Sequence, residues 1–156
     1  LLTNPSDQFA LEYEPEAAEL VWELTAGHPY LVQLFGHLLV ERYNARLAQG
    51  QRMGATLTLN EAREVAEDPL LYQMGRYYFA SVWDQAKYPP AGQQTILRVL
   101  ARHGKGLDER ALAVRTGQDE APLRAALAAL ERDDVLVEEQ GVWRYAVELM
   151  RRWVLR

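Results

Sequence analysis

Cysteine is absent from all 156 residues. That excludes disulfide staples, thiolate metal sites and a cysteine nucleophile, and it fits a reducing, cytoplasmic setting. Long hydrophobic runs are missing too. Nothing approaches the roughly 18 consecutive apolar residues that a membrane-spanning helix needs, so no membrane partner is expected. The first residues, Leu1-Leu2-Thr3-Asn4-Pro5, have no starting Met and no basic-then-apolar signal layout, which reads as a chain cut from something longer. Histidine is scarce. His28, His37 and His103 fall on different predicted elements without a His-Glu-x-x-His spacing, so no metal site is expected. One of them, His28, is expected to cap a helix, and His37 with Glu41 makes a surface pair four residues apart.

Strong positive charge is also absent. The net charge is −5. Residues 1–90 hold six Lys/Arg against twelve Asp/Glu, and residues 91–156 hold eleven against ten. Neither part offers the basic surface on which general nucleic-acid attraction rests. Two sequence motifs of chemistry are missing as well. No stretch reads Gly-x-x-x-x-Gly-Lys-Ser/Thr, the loop that cradles phosphates, and none reads Gly-x-Ser-x-Gly. The neighbouring carboxylates Glu64 and Asp68 read as solvated helix surface. No catalytic residue is expected, and the chain is not expected to be an enzyme by itself.

What is present suits a soluble globular protein, with 49% apolar and 25% charged residues. Its length allows one medium domain or two small ones. Leu1–Tyr13 reads as an extended lead-in. Pro15 opens a first helix to about Thr25, with Ala18, Val21, Trp22 and Thr25 on one side. Gly27 ends it and Pro29 starts a second helix, to about Ala48. Leu31, Leu34, Phe35, Leu38 and Leu39 form its inward stripe, opposite Gln33, His37, Glu41 and Asn44. After a loop over 49–58, Asn60 is expected to cap a short helix to Glu67. Pro69 then opens a long helix to about Gln85. That helix and the first contribute an aromatic set, Trp22, Tyr72, Tyr77, Tyr78, Phe79 and Trp83, expected in the core or at a domain interface.

Tyr88-Pro89-Pro90-Ala91-Gly92 cannot continue a helix and marks the boundary between two domains, 1–88 and 91–156. The second part predicts helices over about 92–103, from Asp108 to Thr116, and from Asp119 to Arg132. Two strands, Val135–Glu139 and Val142–Ala146, follow around Gln140-Gly141, and a helix over 147–156 closes the chain. The expected fold class is mainly α: a helical, lid-like bundle, then a winged helix-turn-helix with a small β-hairpin.

These words and their order resemble the C-terminal lid plus winged-helix portion of bacterial STAND-like or archaeal-type AAA+ P-loop ATPases. The resemblance covers nearly the whole chain. It is carried by Leu24-Thr25-Ala26-Gly27-His28-Pro29-Tyr30-Leu31, by Tyr77-Tyr78-Phe79 with Trp83-Asp84, and by Tyr145 through Trp153. It implies that Gly27, His28 and Pro29 form the lid corner that lies on the base and ribose of a nucleotide held by an upstream ATPase domain. ATP or ADP with Mg would then belong to the full-length protein, and no cofactor to this piece. The implied role is regulatory, relaying nucleotide state to a protein partner. The family's Met-His-Asp motif falls on Val147-Glu148-Leu149, where this chain has no histidine.

Two other readings stay open. A winged helix invites DNA binding, through Arg115, Arg124 and Arg132. Against it, the outward positions of the would-be recognition helix are Ala121, Ala125, Ala128 and Ala129, with Glu120 and Glu131 beside the arginines, and the wing tip is Glu138-Glu139-Gln140. An alanine-rich face suits helix-on-helix contact instead. The last reading is a scaffold whose lid-like part mediates dimerisation. A basic patch of Arg110, Arg115, Arg151, Arg152 and Arg156 reads as solvated helix surface.

Overall fold

The computed structural model describes residues 12–51, 54 and 56–156. Among them the protein is mainly helical, with nine helices and two small sheets. The chain forms two compact units, the first ending at Gly75 and the second covering Arg76–Arg156. The sequence had suggested a boundary at Tyr88–Gly92. Most of the expected lead-in, Leu1–Leu11, lies outside the described residues.

In the first unit, β1 (Glu12–Tyr13) pairs in parallel with β2 (Thr56–Leu57), in the register Glu12 to Thr56 and Tyr13 to Leu57. Neither short strand was foreseen, because two residues are too few to show a period of two. Helix α1 (Pro15–Thr25) and helix α2 (Pro29–Ala48) both begin with proline, whose fixed φ suits a first turn. The inward stripe of α2 is as expected: Leu31, Leu34, Phe35, Leu38 and Leu39 are all buried. On α1 the buried stripe is Ala17, Val21, Leu24 and Thr25, while Trp22 is 66% exposed. Residues at i, i+4, i+7 and i+8 share a helix face, and position 22 lies about 100° away from 21.

Helix α3 (Leu59–Glu67) is capped by Thr58, not Asn60. The Thr58 hydroxyl oxygen accepts from the Glu61 amide at 3.3 Å, and a Glu61 carboxylate oxygen accepts from the Thr58 amide at 2.8 Å. This reciprocal capping box starts the helix two residues early. Asn60 instead donates to Glu64 at 3.1 Å.

The long helix expected from Pro69 is two helices, α4 (Pro69–Met74) and α5 (Arg76–Gln85). Gly75 lies between them with φ −76° and ψ 0°, which turns its carbonyl off the helical ladder. Proline aside, glycine gives a helix less support than any other residue. Helix α5 therefore belongs to the second unit. The expected aromatic core is only partly realised: Tyr72 and Phe79 are buried, but Tyr77 is exposed like Trp22.

The second unit continues with α6 (Gln93–Ala101), β3 (Leu107–Asp108), α7 (Glu109–Thr116) and α8 (Glu120–Arg132). The hairpin β4 (Leu136–Glu139) and β5 (Val142–Tyr145) follows, then α9 (Glu148–Val154). The sheet order is β3-β5-β4, antiparallel throughout, with Leu136 opposite Tyr145 and Leu107 opposite Trp143. Strand β3 was missed for the same reason as β1. Ile96, Leu97, Leu100, Leu123, Leu127 and Leu130 fill the core, each worth about 1.5–3 kcal/mol of burial. The Tyr145 hydroxyl donates to the Leu97 carbonyl at 2.7 Å, tying the last strand to α6. Burial pushes the Tyr145 phenol well above the usual tyrosine range.

Candidate functional site

The corner between α1 and α2 is built by Thr25. Its hydroxyl donates to the Val21 carbonyl at 2.7 Å and accepts from the Gly27 amide at 3.2 Å. Ala26 and Gly27 both take left-handed backbone angles, with φ 49° and 70°. The His28 amide then returns to the Thr25 carbonyl at 3.0 Å, and Pro29 starts α2. His28 occupies the N-cap position as expected, but its side chain makes no capping hydrogen bond.

A β-carbon at Gly27 would fall 2.5 Å from the Trp22 indole. Glycine is therefore required twice over, by its φ and by the ring that lies on it. Trp22, Pro29 and Tyr30 are all exposed around this turn, so a flat apolar ledge surrounds the corner. The Tyr30 hydroxyl is 3.2 Å from the Met74 carbonyl, which ties the ledge to α4, where Leu70 and Met74 are also exposed. The sequence reading named Gly27, His28 and Pro29 and missed Trp22. A stricter stripe of Ala17, Val21 and Leu24 would have left Trp22 off the buried side.

The corner segment carries no Lys or Arg: Glu23 precedes it, and the next Lys or Arg along the chain is Arg42. Arg42 is already engaged, reaching Glu64 at 3.2 Å and Asp68 at 2.5 Å. Arg46 reaches Glu61 at 3.1 Å and Glu64 at 2.7 Å. Glu64 and Asp68 are thus not merely solvated; they fasten α3 and the start of α4 to α2. The Leu70 amide, then the Arg42 guanidinium, holds the Asp68 carboxyl below the usual aspartate range. Such a corner can lie against a ring or a ribose, but it holds no counter-charge for phosphates.

In the second unit Arg115, Arg124 and Arg132 are exposed but mostly spoken for. Arg124 holds Glu109 at 2.7 Å and Glu120 at 2.6 Å. Arg132 lies 3.4 Å from Asp133, and Arg115 reaches back to the Ala111 carbonyl at 3.4 Å. Outward on α8 are Ala121, Ala125 and Ala128, whereas Ala129, expected outward, is 2% exposed and packs into the core. At the hairpin tip the Glu138 carboxylate accepts from the Gly141 amide, and Arg144 holds Glu139 at 2.5 Å. Arg151 and Arg152 both hold Glu148, and Arg151 also donates to the Ala101 carbonyl at 2.6 Å. Half burial works against the charge of Glu148, and the two guanidiniums outweigh it, leaving its carboxyl below the usual glutamate range.

The histidines stay apart. His37 pairs with Glu41 at 3.3 Å as expected, and the His103 ring contacts the Val99 carbonyl at 2.9 Å. Among the described residues no group of three or more His, Cys, Asp or Glu stands ready to hold a metal, and no helix is long and apolar enough to cross a membrane. The chain matches no family model, no curated protein and no solved structure.

Proposed function

We propose that this chain is the regulatory C-terminal part of a P-loop ATPase of the STAND or AAA+ type, acting in the cytoplasm. The corner Gly27-His28-Pro29, with Trp22 and Tyr30 beside it, meets the base and ribose of ATP or ADP held with Mg on an upstream domain. The observation that carries this is the combination at the corner: a glycine turn roofed by an exposed indole, flanked by exposed Pro29 and Tyr30, on a segment without Lys or Arg. Aromatic and prolyl faces stack on a flat ring, and a corner segment without Lys or Arg suits a contact to base and ribose rather than to phosphates. Exchange of ADP for ATP biases the pose of the lid, which passes that bias to a protein partner.

The second unit reads as a winged helix. The order of helix, short strand, two helices and antiparallel hairpin, closed by a three-stranded sheet, favours it. Its exposed alanines on α8, and arginines already held by carboxylates, favour a protein-facing surface over a DNA-reading one. The runner-up, a DNA-binding regulator, needs Arg124 to leave two glutamates for phosphate.

The test is nucleotide affinity in the full-length protein that includes the upstream domain. Pro29→Ser is expected to weaken ADP binding severalfold. Unchanged affinity contradicts the base contact. This chain alone is expected to bind ATP weakly or not at all. For the runner-up, a shift assay on random duplexes at low salt is expected to show no tight binding; steeply salt-dependent binding that Arg124→Ala weakens reverses the ranking.

A further inference from the structure

The second unit contains a cleft that this function does not use. It has a volume of about 540 Å³, and its walls include Trp83 from α5, Arg98 from α6, Arg102 at the C-cap of α6, and Trp153 with Arg156. That volume is the size of a small-molecule site. Its lining contains three guanidinium groups and no Asp or Glu side chain.

The charge of this lining is of one sign. Elsewhere Arg42, Arg46, Arg124, Arg144, Arg151 and Arg152 each hold a carboxylate. Arg98 on α6 and Arg102 at its C-cap, four residues apart and both exposed, have no ion pair among the described residues. In a chain of net charge −5, these two guanidiniums without a carboxylate partner line one concave surface.

The aromatic side is ordered. Trp153 stacks on buried Phe79, with ring centroids 5.9 Å apart and 23° between planes. Trp83 meets Trp153 edge-on at 6.3 Å and 62°. The Arg98 guanidinium carbon stands 4.9 Å from the Trp83 ring centroid. The Gln94 amide donates to the Trp83 carbonyl at 2.9 Å, fixing that end of α5. Two half-buried indoles thus form a rigid corner, with guanidiniums along its rim.

We infer that this cleft binds a small planar aromatic anion: a ring that packs on Trp83 and Trp153 and an acidic group that reaches Arg98 and Arg102. Stacking and cation–π contact supply the apolar share, and the paired guanidiniums fork onto a carboxylate or phosphate. Both acidic groups present the same chemistry to the two arginines, so the probes separate them.

The experiment is titration of the chain with indole-3-acetate and, separately, with AMP. It is followed through the indole N–H signals of the four tryptophans in a two-dimensional NMR spectrum. Single Trp→Phe variants assign the signals. The expected result is a saturable shift of the Trp83 and Trp153 signals with at least one of the two probes. The Trp22 signal stays still. Indole-3-acetamide, the neutral analogue, binds at least tenfold more weakly. The variant Arg98→Gln/Arg102→Gln loses at least tenfold in affinity while its melting temperature stays within a few degrees, since both side chains are exposed. Preference for indole-3-acetate names the carboxylate source, and preference for AMP the phosphate source. Equal binding of the neutral analogue overturns the inference, as does affinity untouched by the double variant. No shift with either probe up to millimolar concentration also overturns it.

Discussion

Replacing Gly27 by alanine separates two effects that the corner combines. At φ 70° an L-residue loses about 1–2 kcal/mol relative to glycine. The new methyl would also stand 2.5–2.6 Å from two atoms of the Trp22 ring, which something must relieve. Trp22 is 66% exposed, so its ring swings outward rather than the backbone giving way. Moving a side chain off its preferred rotamer adds about 0.5–1.5 kcal/mol. Gly50 is the control. Its φ is 77°, and nothing lies within 4 Å of a β-carbon there. Gly50→Ala is expected to cost about 1–2 kcal/mol from backbone strain alone, and Gly27→Ala about 1 kcal/mol more. Urea unfolding of both variants, with unchanged slope, gives the difference. Tryptophan fluorescence of folded Gly27→Ala is expected to change, and that of Gly50→Ala is not. In a Trp22→Ala background the two glycine substitutions are expected to cost the same. The reasoning is refuted if Gly27→Ala and Gly50→Ala are equal in cost with the tryptophan signal undisturbed. Trp22 then does not lie on Gly27, and the ledge around the corner is lost.

Three further outcomes follow from the hydrogen bonds. Thr58→Ala is expected to lose about 1 kcal/mol through its cap, and Asn60→Ala markedly less, in thermal or urea unfolding; the reverse order would return the cap to Asn60. Tyr145→Phe removes a buried hydroxyl from the Leu97 carbonyl and is expected to cost about 1–2 kcal/mol, read as a lower melting temperature. Folding depresses the carboxyl groups of Asp68 and Glu148, so their stabilisation is present above the unfolded carboxylate range and is lost as pH falls through the folded values. Stability measured from pH 7 downward is expected to fall below about pH 5, and Asp68→Asn with Glu148→Gln is expected to flatten that acid limb.

The sequence carried the helices well where proline, glycine and a 3.6-residue period agreed. Helices α1 and α2 have the expected bounds because Pro15, Gly27 and Pro29 punctuate them, and the leucines of α2 recur on one face. It failed where the deciding contact was distant or reciprocal. Strands β1, β2 and β3 exist because another segment offers a pairing edge, which two residues cannot announce. The break at Gly75 depends on a ψ near 0°, and a single glycine inside an apolar run does not declare one. At the corner, Gly27 and Pro29 were readable from local grammar alone. Trp22 was not, because an indole reads as core until the neighbouring stripe is shown to be full. The arginines of the cleft in the second unit were invisible for a similar reason: Arg98 resembles every other surface arginine until Trp83 and Trp153 are seen to line the same cleft.

The most direct test of the central claim compares two ligands in the full-length protein with its upstream domain. Trp22→Ala and Pro29→Ser are each expected to weaken ADP binding, with about 1–3 kcal/mol lost for the indole, roughly 5- to 150-fold. Affinity for inorganic pyrophosphate is expected to stay the same, because neither side chain carries a charge for phosphate. Equal loss for both ligands, or no loss for ADP, contradicts a corner that reads the base.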